Sequence, residues 1–276
     1  MLYSIFGLVV GSFLNVCIYR LPRRESVVFP RSHCPGCGVR IRAYDNVPVL
    51  SYLWLRGKCR SCRMPISLQY PAVELLTGAA FLSCALKWGF AAPSLMNSLF
   101  LSLLIILVFV DYQHQILPNH ITVPGAIVGV ALSPFQWPDL YRDVVSYALA
   151  GGLSPDDPQR ILPWVASIFG ALCAAGALFL VAVVYRLARR RQGLGLGDVK
   201  MMAMVGAFLG WRLALLTVFL GSLIGSLLGV YLILFRGRNL QQKLAFGTLL
   251  GIAALLSLFF GLPLIRWYIA LGAARK

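Results

Sequence analysis

Negative charge is what this chain has least of. Nine Asp and Glu stand against 25 Lys and Arg in 276 residues, and the charged types together reach only 12%. That leaves too few polar side chains to cover a soluble globule of this length. Histidine numbers three. No carboxylate or cysteine pattern completes a metal site around His114 or His120, so both read as loop or interface residues. The glycine-rich stretch Gly193 to Gly210 is not followed by the lysine and serine of a phosphate loop, which argues against nucleotide binding of that type. The apolar segments do not alternate as barrel strands would.

What is abundant is hydrocarbon: 59% of residues are hydrophobic. Several apolar runs reach the roughly 17 to 25 residues that a helix needs to cross a bilayer. Eight crossings are expected, at about Leu2–Tyr19, Ala72–Gly89, Leu95–Val110, Ile121–Phe135, Leu162–Tyr185, Val199–Leu209, Leu213–Phe235 and Phe246–Leu262. The fourth and sixth are short and should sit partly in a cavity or continue beyond the hydrocarbon. The loops after the first, third, fifth and seventh spans hold 18 of the 25 basic residues, and the other side holds seven. The positive-inside bias assigns the richer side to the cytoplasm and both termini to the outside. Much of the formal charge of +16 is therefore a topology signal, and no nucleic-acid partner is inferred from it. Leu2–Tyr19 has no basic segment before it and Arg20 after it, so it reads as a first span and not as a cleaved leader. Gln136 to Arg160, with Asp139, Asp143, Asp156 and Asp157, reads as a solvated outer connection. The basic cluster YRLARRRQG that ends the fifth span would meet anionic headgroups of membrane lipid. The expected fold is an all-α polytopic membrane protein of about eight transmembrane helices, with a small cytoplasmic zinc-ribbon-like insert between the first two.

That insert, Leu21 to Tyr70, shifts in composition to Pro, Gly, Arg and Cys. Cys34 and Cys37 form one CxxC, and after 21 intervening residues Cys59 and Cys62 form another. Two such knuckles supply four thiolates that can close a tetrahedron around Zn2+, and so few residues cannot hold together by apolar burial alone. Disulfides are disfavoured on the reducing side of the membrane, and a redox motif needs only one pair. Four cysteine ligands leave no open position, so the expected metal is structural. Cys17, Cys84 and Cys173 stand alone on apolar runs and read as core residues.

Two aspartates remain to be explained. Asp111 closes the third span, where the negative end of a helix dipole disfavours a carboxylate and a capping role fails. Asp198 opens the sixth span behind Gly193, Gly195 and Gly197; taken alone it could be a helix cap. The glycines permit unusual dihedrals and the close approach of an extended peptide. The topology puts both carboxylates at the cytoplasmic edge, where two of them sharing a proton can act as base and acid on a water molecule. Asp198 is the readier base by this reading and Asp111 the readier donor, although the pair titrates as a unit. Lys200 should point elsewhere. Glu74, taken to lie in the first turn of the second span, suits the helix dipole and remains a candidate for a polar site. Gly11, Ser12 and Asn15 on the first span suit close helix packing or an interhelical hydrogen bond.

GSFLNVCIYRLP, SHCPGC, YDNVPVLSYLWLRGKCRSC, QYPAVELLTG, VDYQHQILPN, GLGLGDVKMMA and KLAFGTLLG occur in the order found in type IV prepilin peptidases, and from Gly11 to about Gly251 the chain resembles that family. The resemblance implies a GxGD-type membrane aspartyl protease of the bacterial inner membrane. Such an enzyme cuts the leader of type IV prepilins and pseudopilins after a glycine at the cytoplasmic face. It implies Asp111 and Asp198 as the catalytic pair and Cys34, Cys37, Cys59 and Cys62 as the metal cysteines. It also implies N-methylation of the new N-terminus from S-adenosylmethionine, for which no independent nucleoside signature is evident; the insert is the expected place. The domains then read as residues 1–20, a first transmembrane helix; 21–70, the four-cysteine zinc-binding insert; and 71–276, the protease. Many relatives read DLDHQLLPD where this chain has Gln113 and Asn119, so any auxiliary role of those acids is absent here. The competing classes are a proton- or cation-coupled transporter, which usually carries its site at mid-membrane with internal repeats, and a zinc-ribbon membrane adaptor indifferent to both aspartates.

Overall fold

A computed structural model describes residues 1–136, 158–190, 195–236 and 245–273. Asp139, Asp143, Asp156, Asp157 and Gly193 lie outside the described residues. The described chain is helical: α1 Leu2–Arg20, α2 Leu50–Trp54, α3 Gln69–Trp88, α4 Ala92–His114, α5 Asn119–Ala131, α6 Pro158–Arg189, α7 Leu196–Arg236 and α8 Phe246–Ala273. Two isolated antiparallel bridges, His33 with Arg40 and Lys58 with Pro65, are the only β pairing among the described residues. Five helices are long and apolar enough to cross a membrane, namely α1, α4, α6, α7 and α8.

Gly210 breaks α7, with φ 74° and ψ 169°, so that α7 is two helices joined at one residue. Counting both halves and omitting the five-residue α2, eight helices answer to the eight expected crossings. The sixth and seventh expected spans meet directly at this joint. The described chain is thus that of an all-α polytopic membrane protein.

Contacts divide the chain into Met1–Val110 and Asp111–Lys276. In the first unit α1 packs on α3 through small residues. A methyl group added at Gly11 would lie 2.7 Å from the Glu74 Cα, and one at Gly7 would lie 2.8 Å from the Phe81 Cβ. Asn15 donates from Nδ2 to the Tyr70 carbonyl at 3.0 Å, the interhelical bond its amide suits. Helix α3 starts earlier than its apolar run, at Gln69. Pro71 is tolerated there because first-turn N–H groups have no intrahelical partner in any case. Glu74 therefore stands beyond the first turn, and the dipole explanation for it fails.

In the second unit α7 packs against α5, α6 and α8. The α6–α7 crossing is backbone on backbone: a methyl group at Gly206 would meet the Gly170 carbonyl oxygen at 2.2 Å. Ser167 adds a hydrogen bond to the Ala207 carbonyl at 2.7 Å.

Candidate active site

Asp111 lies in the last turn of α4 and is 5% exposed. Its Oδ2 accepts two hydrogen bonds from Thr248, from the backbone N–H at 2.6 Å and from the hydroxyl at 3.0 Å. Thr248 is the third residue of α8, so its N–H is one of the donors that a helix start leaves unpaired. The end of α4 is unfavourable to a carboxylate, as its sequence position implies. The start of α8 answers with donors and the positive end of a second dipole. Oδ1 has no hydrogen-bond partner among the described residues.

Asp198 is the third residue of α7, half-buried, and its N–H donates to the Gly195 carbonyl at 3.2 Å. It is thus a first-turn acid and not the cap itself. Asp111 lies within electrostatic range of it. Leu117, in the turn after α4, joins the two helix starts. Methyl groups built at Gly197 and Gly247 would each lie 3.0 Å from Leu117 atoms, and the one at Gly247 also 3.0 Å from the Asp111 carboxylate. Gly195 and Gly197 are outside the left-handed region, so unusual dihedrals are not their reason for being here; space is, most clearly at Gly197. Lys200 turns to the Asn119 side-chain oxygen at 2.9 Å, away from the pair as expected.

Thr248, Gly247 and Leu117 are absent from the sequence-derived site. A Gly-Thr pair in the first turn of the eighth span was the available signal. It pointed to a helix start but not to which carboxylate that start would face.

In the insert, the four sulfurs of Cys34, Cys37, Cys59 and Cys62 lie within 4.8 Å of one another and could hold a metal ion. The two knuckles are built alike. Gly38 and Arg63, each following the second cysteine, are left-handed at φ 69° and 60°. Cys34 N–H donates to the Val39 carbonyl and Cys59 N–H to that of Met64, both at 2.9 Å. Backbone N–H groups of Cys62 and Ser61 aimed at the Cys59 sulfur pull its thiol down to about 6, while the Cys62 thiol, set against the other three sulfurs, is pushed up to about 11. Arg60 clasps Asp45 with Nε and a terminal nitrogen, the shortest contact being 2.6 Å, tying the turn Ala43–Asn46 to the second knuckle.

Two matched segments cover this arrangement in order: residues 5–88 match the Bacterial Peptidase A24 N-terminal domain, and residues 98–230 the Type IV leader peptidase family. A protein of Myxococcus xanthus named prepilin leader peptidase/N-methyltransferase is 40% identical over 85% of this chain, and the chain spans 63% of that relative's length. Proteins with the same name from Aeromonas hydrophila and Pseudomonas putida are 33% and 35% identical over 97% and 94% of this chain and 93% and 90% of their own length. No solved structure matches. Similarity running through both units over nearly the full length of two relatives means that the chain belongs to the type IV leader peptidase family.

Proposed function

We propose that this protein cleaves the leader of type IV prepilins and pseudopilins after a glycine, with Asp111 and Asp198 as the catalytic pair, and then methylates the new N-terminal amine. The observation that carries the reading is the gathering of both carboxylates at two helix starts. One oxygen of Asp111 is held by Thr248 and the other is left for chemistry. One carboxylate takes a proton from water as its oxygen attacks the scissile carbonyl carbon, while the other carboxyl gives a proton to the carbonyl oxygen. When the C–N bond breaks, the departing amine is protonated by the pair. Gly247 leaves room for the Asp111 carboxylate beside the start of α8, and Gly197 lets the start of α7 pack closely on Leu117.

The basic side of the membrane, and with it the site, is assigned to the cytoplasmic face of the bacterial inner membrane. Cys34, Cys37, Cys59 and Cys62 would hold structural Zn2+, and residues 71–276 would form the protease domain behind the 1–20 helix and the 21–70 insert. S-adenosylmethionine supplies an electrophilic methyl group on sulfur.

The test is to incubate purified protein in lipid with a prepilin peptide and S-adenosylmethionine and read both products by mass spectrometry. Asp111→Asn and Asp198→Asn should each lower the cleavage rate by at least about 100-fold. Substantial cleavage by either variant would remove the pair.

A further inference from the structure

Two buried charges hold pieces of the insert against the helices that flank it. Arg20, the last residue of α1, is buried and donates to the carbonyls of Ser26 and Pro30 at 2.8 and 2.7 Å, which folds that segment back over the helix end. Glu74, buried on α3, accepts the Val49 N–H at 2.8 Å and a hydrogen bond from the Ser12 side chain of α1. Val49 is the residue from which α2 starts. Helix α3, which answers to the second expected crossing, begins at Gln69, and Glu74 stands about 7 Å of helical rise beyond that point. The start of α2 is therefore pinned level with the first turns of α3 and not out in the solvent above it.

Helix α2 turns its polar side inward. Ser51 Oγ accepts the Val47 N–H at 2.9 Å and donates to the Tyr44 carbonyl at 3.0 Å, and a methyl group built at Gly57 would lie 2.8 Å from the Tyr52 hydroxyl. Leu50, Leu53 and Trp54, spaced as neighbours on one helical face, are left 65%, 65% and 84% exposed. Leu68, directly before α3, and Val28 and Phe29, in the segment that Arg20 holds, are exposed too. Apolar side chains of this size gathered on one face mark a surface that something apolar covers. The charge beside it has one sign: from Asn46 to Val73 there is no acid, whereas Arg56, Lys58, Arg60 and Arg63 fall there. A protein partner would have to be apolar and anionic at once, at the height where two helices enter the membrane. The rim of an anionic bilayer is both, at that height, and tryptophan favours this boundary. We propose that α2 lies in the headgroup layer of an anionic leaflet, with Leu50, Leu53 and Trp54 in the outermost hydrocarbon and Arg56 and Lys58 on lipid phosphates. The insert is then seated on lipid as well as tethered by α1 and α3. This inference depends on the membrane-spanning fold and is independent of the reaction.

The experiment reads contact with lipid directly. Full-length protein carrying the photoreactive residue benzoylphenylalanine at position 53 or 54 is reconstituted into vesicles of equal parts phosphatidylglycerol and phosphatidylcholine and irradiated, and its adducts are identified by mass spectrometry. Both positions are exposed, so neither replacement disturbs packing. Phospholipid adducts are expected at both, with phosphatidylglycerol exceeding phosphatidylcholine about threefold or more. Arg56→Gln combined with Lys58→Gln should bring that ratio towards one while lipid adducts persist. Adducts with protein alone, whether this chain or a second copy, would overturn the proposal, as would equal yields from the two lipids before the basic residues are changed. A ratio that the double substitution leaves unchanged would remove Arg56 and Lys58 from the contact. A measurement free of the introduced group uses tryptophan fluorescence in vesicles whose acyl chains are brominated near the headgroup. Trp54→Phe should remove part of the quenching, and quenching unaffected by that substitution would put Trp54 outside the lipid and overturn the proposal as well.

Discussion

Thr248 gives two donors to one oxygen of Asp111, and substitution can separate them. Thr248→Ser keeps both. Thr248→Val keeps the backbone N–H and loses the hydroxyl, a net effect of about 1 kcal/mol. A three- to tenfold lower kcat with little change in KM is expected for the valine variant, and near-normal kcat for the serine variant, in steady-state cleavage assays. In the insert, the Arg60 guanidinium hydrogen-bonded to Asp45 holds its carboxyl below the ordinary value of 3.8. A lowered carboxyl contributes stability that is present above the ordinary value and lost as pH falls through the folded one. Thermal melting followed by tyrosine fluorescence should therefore show a stability loss below about pH 4 that Asp45→Asn flattens. The effect will be small, because Arg60 is half exposed.

At the level of elements, close approach decides where change is tolerated. Gly206→Ala puts a methyl group 2.2 Å from the Gly170 carbonyl oxygen, backbone that cannot rotate away. A loss of about 3 kcal/mol or more, seen as a lower melting temperature in detergent, is expected there. Gly176, with open space around it, should accept alanine without loss and serves as the control on the facing helix, α6. Helices themselves were legible from apolar runs, because a span must bury its backbone in its own hydrogen bonds whatever it packs against. Both aspartates and all four cysteines could be singled out as candidates as well, being residue types that sit badly in apolar or loop sequence without a task, and the four cysteine sulfurs do lie together. Thr248 was not. Its part in the site depends on α8 beginning beside the end of α4, and contacts 137 residues apart leave no periodicity to read. Glu74 was misread for a smaller reason: helix α3 starts before its hydrophobicity does.

For the whole molecule, that same contact sets an order in time. Asp111 and Thr248 are separated by 137 residues. At ordinary synthesis rates this interval is on the order of ten seconds. Throughout it the finished end of α4 lacks the group that grips the carboxylate, while α5, α6 and α7 are being made. A chain stopped after Arg236 should insert and present both aspartates, yet cleave a prepilin peptide poorly. Supplying residues 237–276 as a separate fragment should restore cleavage, and full activity of the shortened chain would refute this. The Asp111 side of the proposed site is thus completed by a helix start that the ribosome makes last, so the pair gains its donors only when the chain is nearly finished.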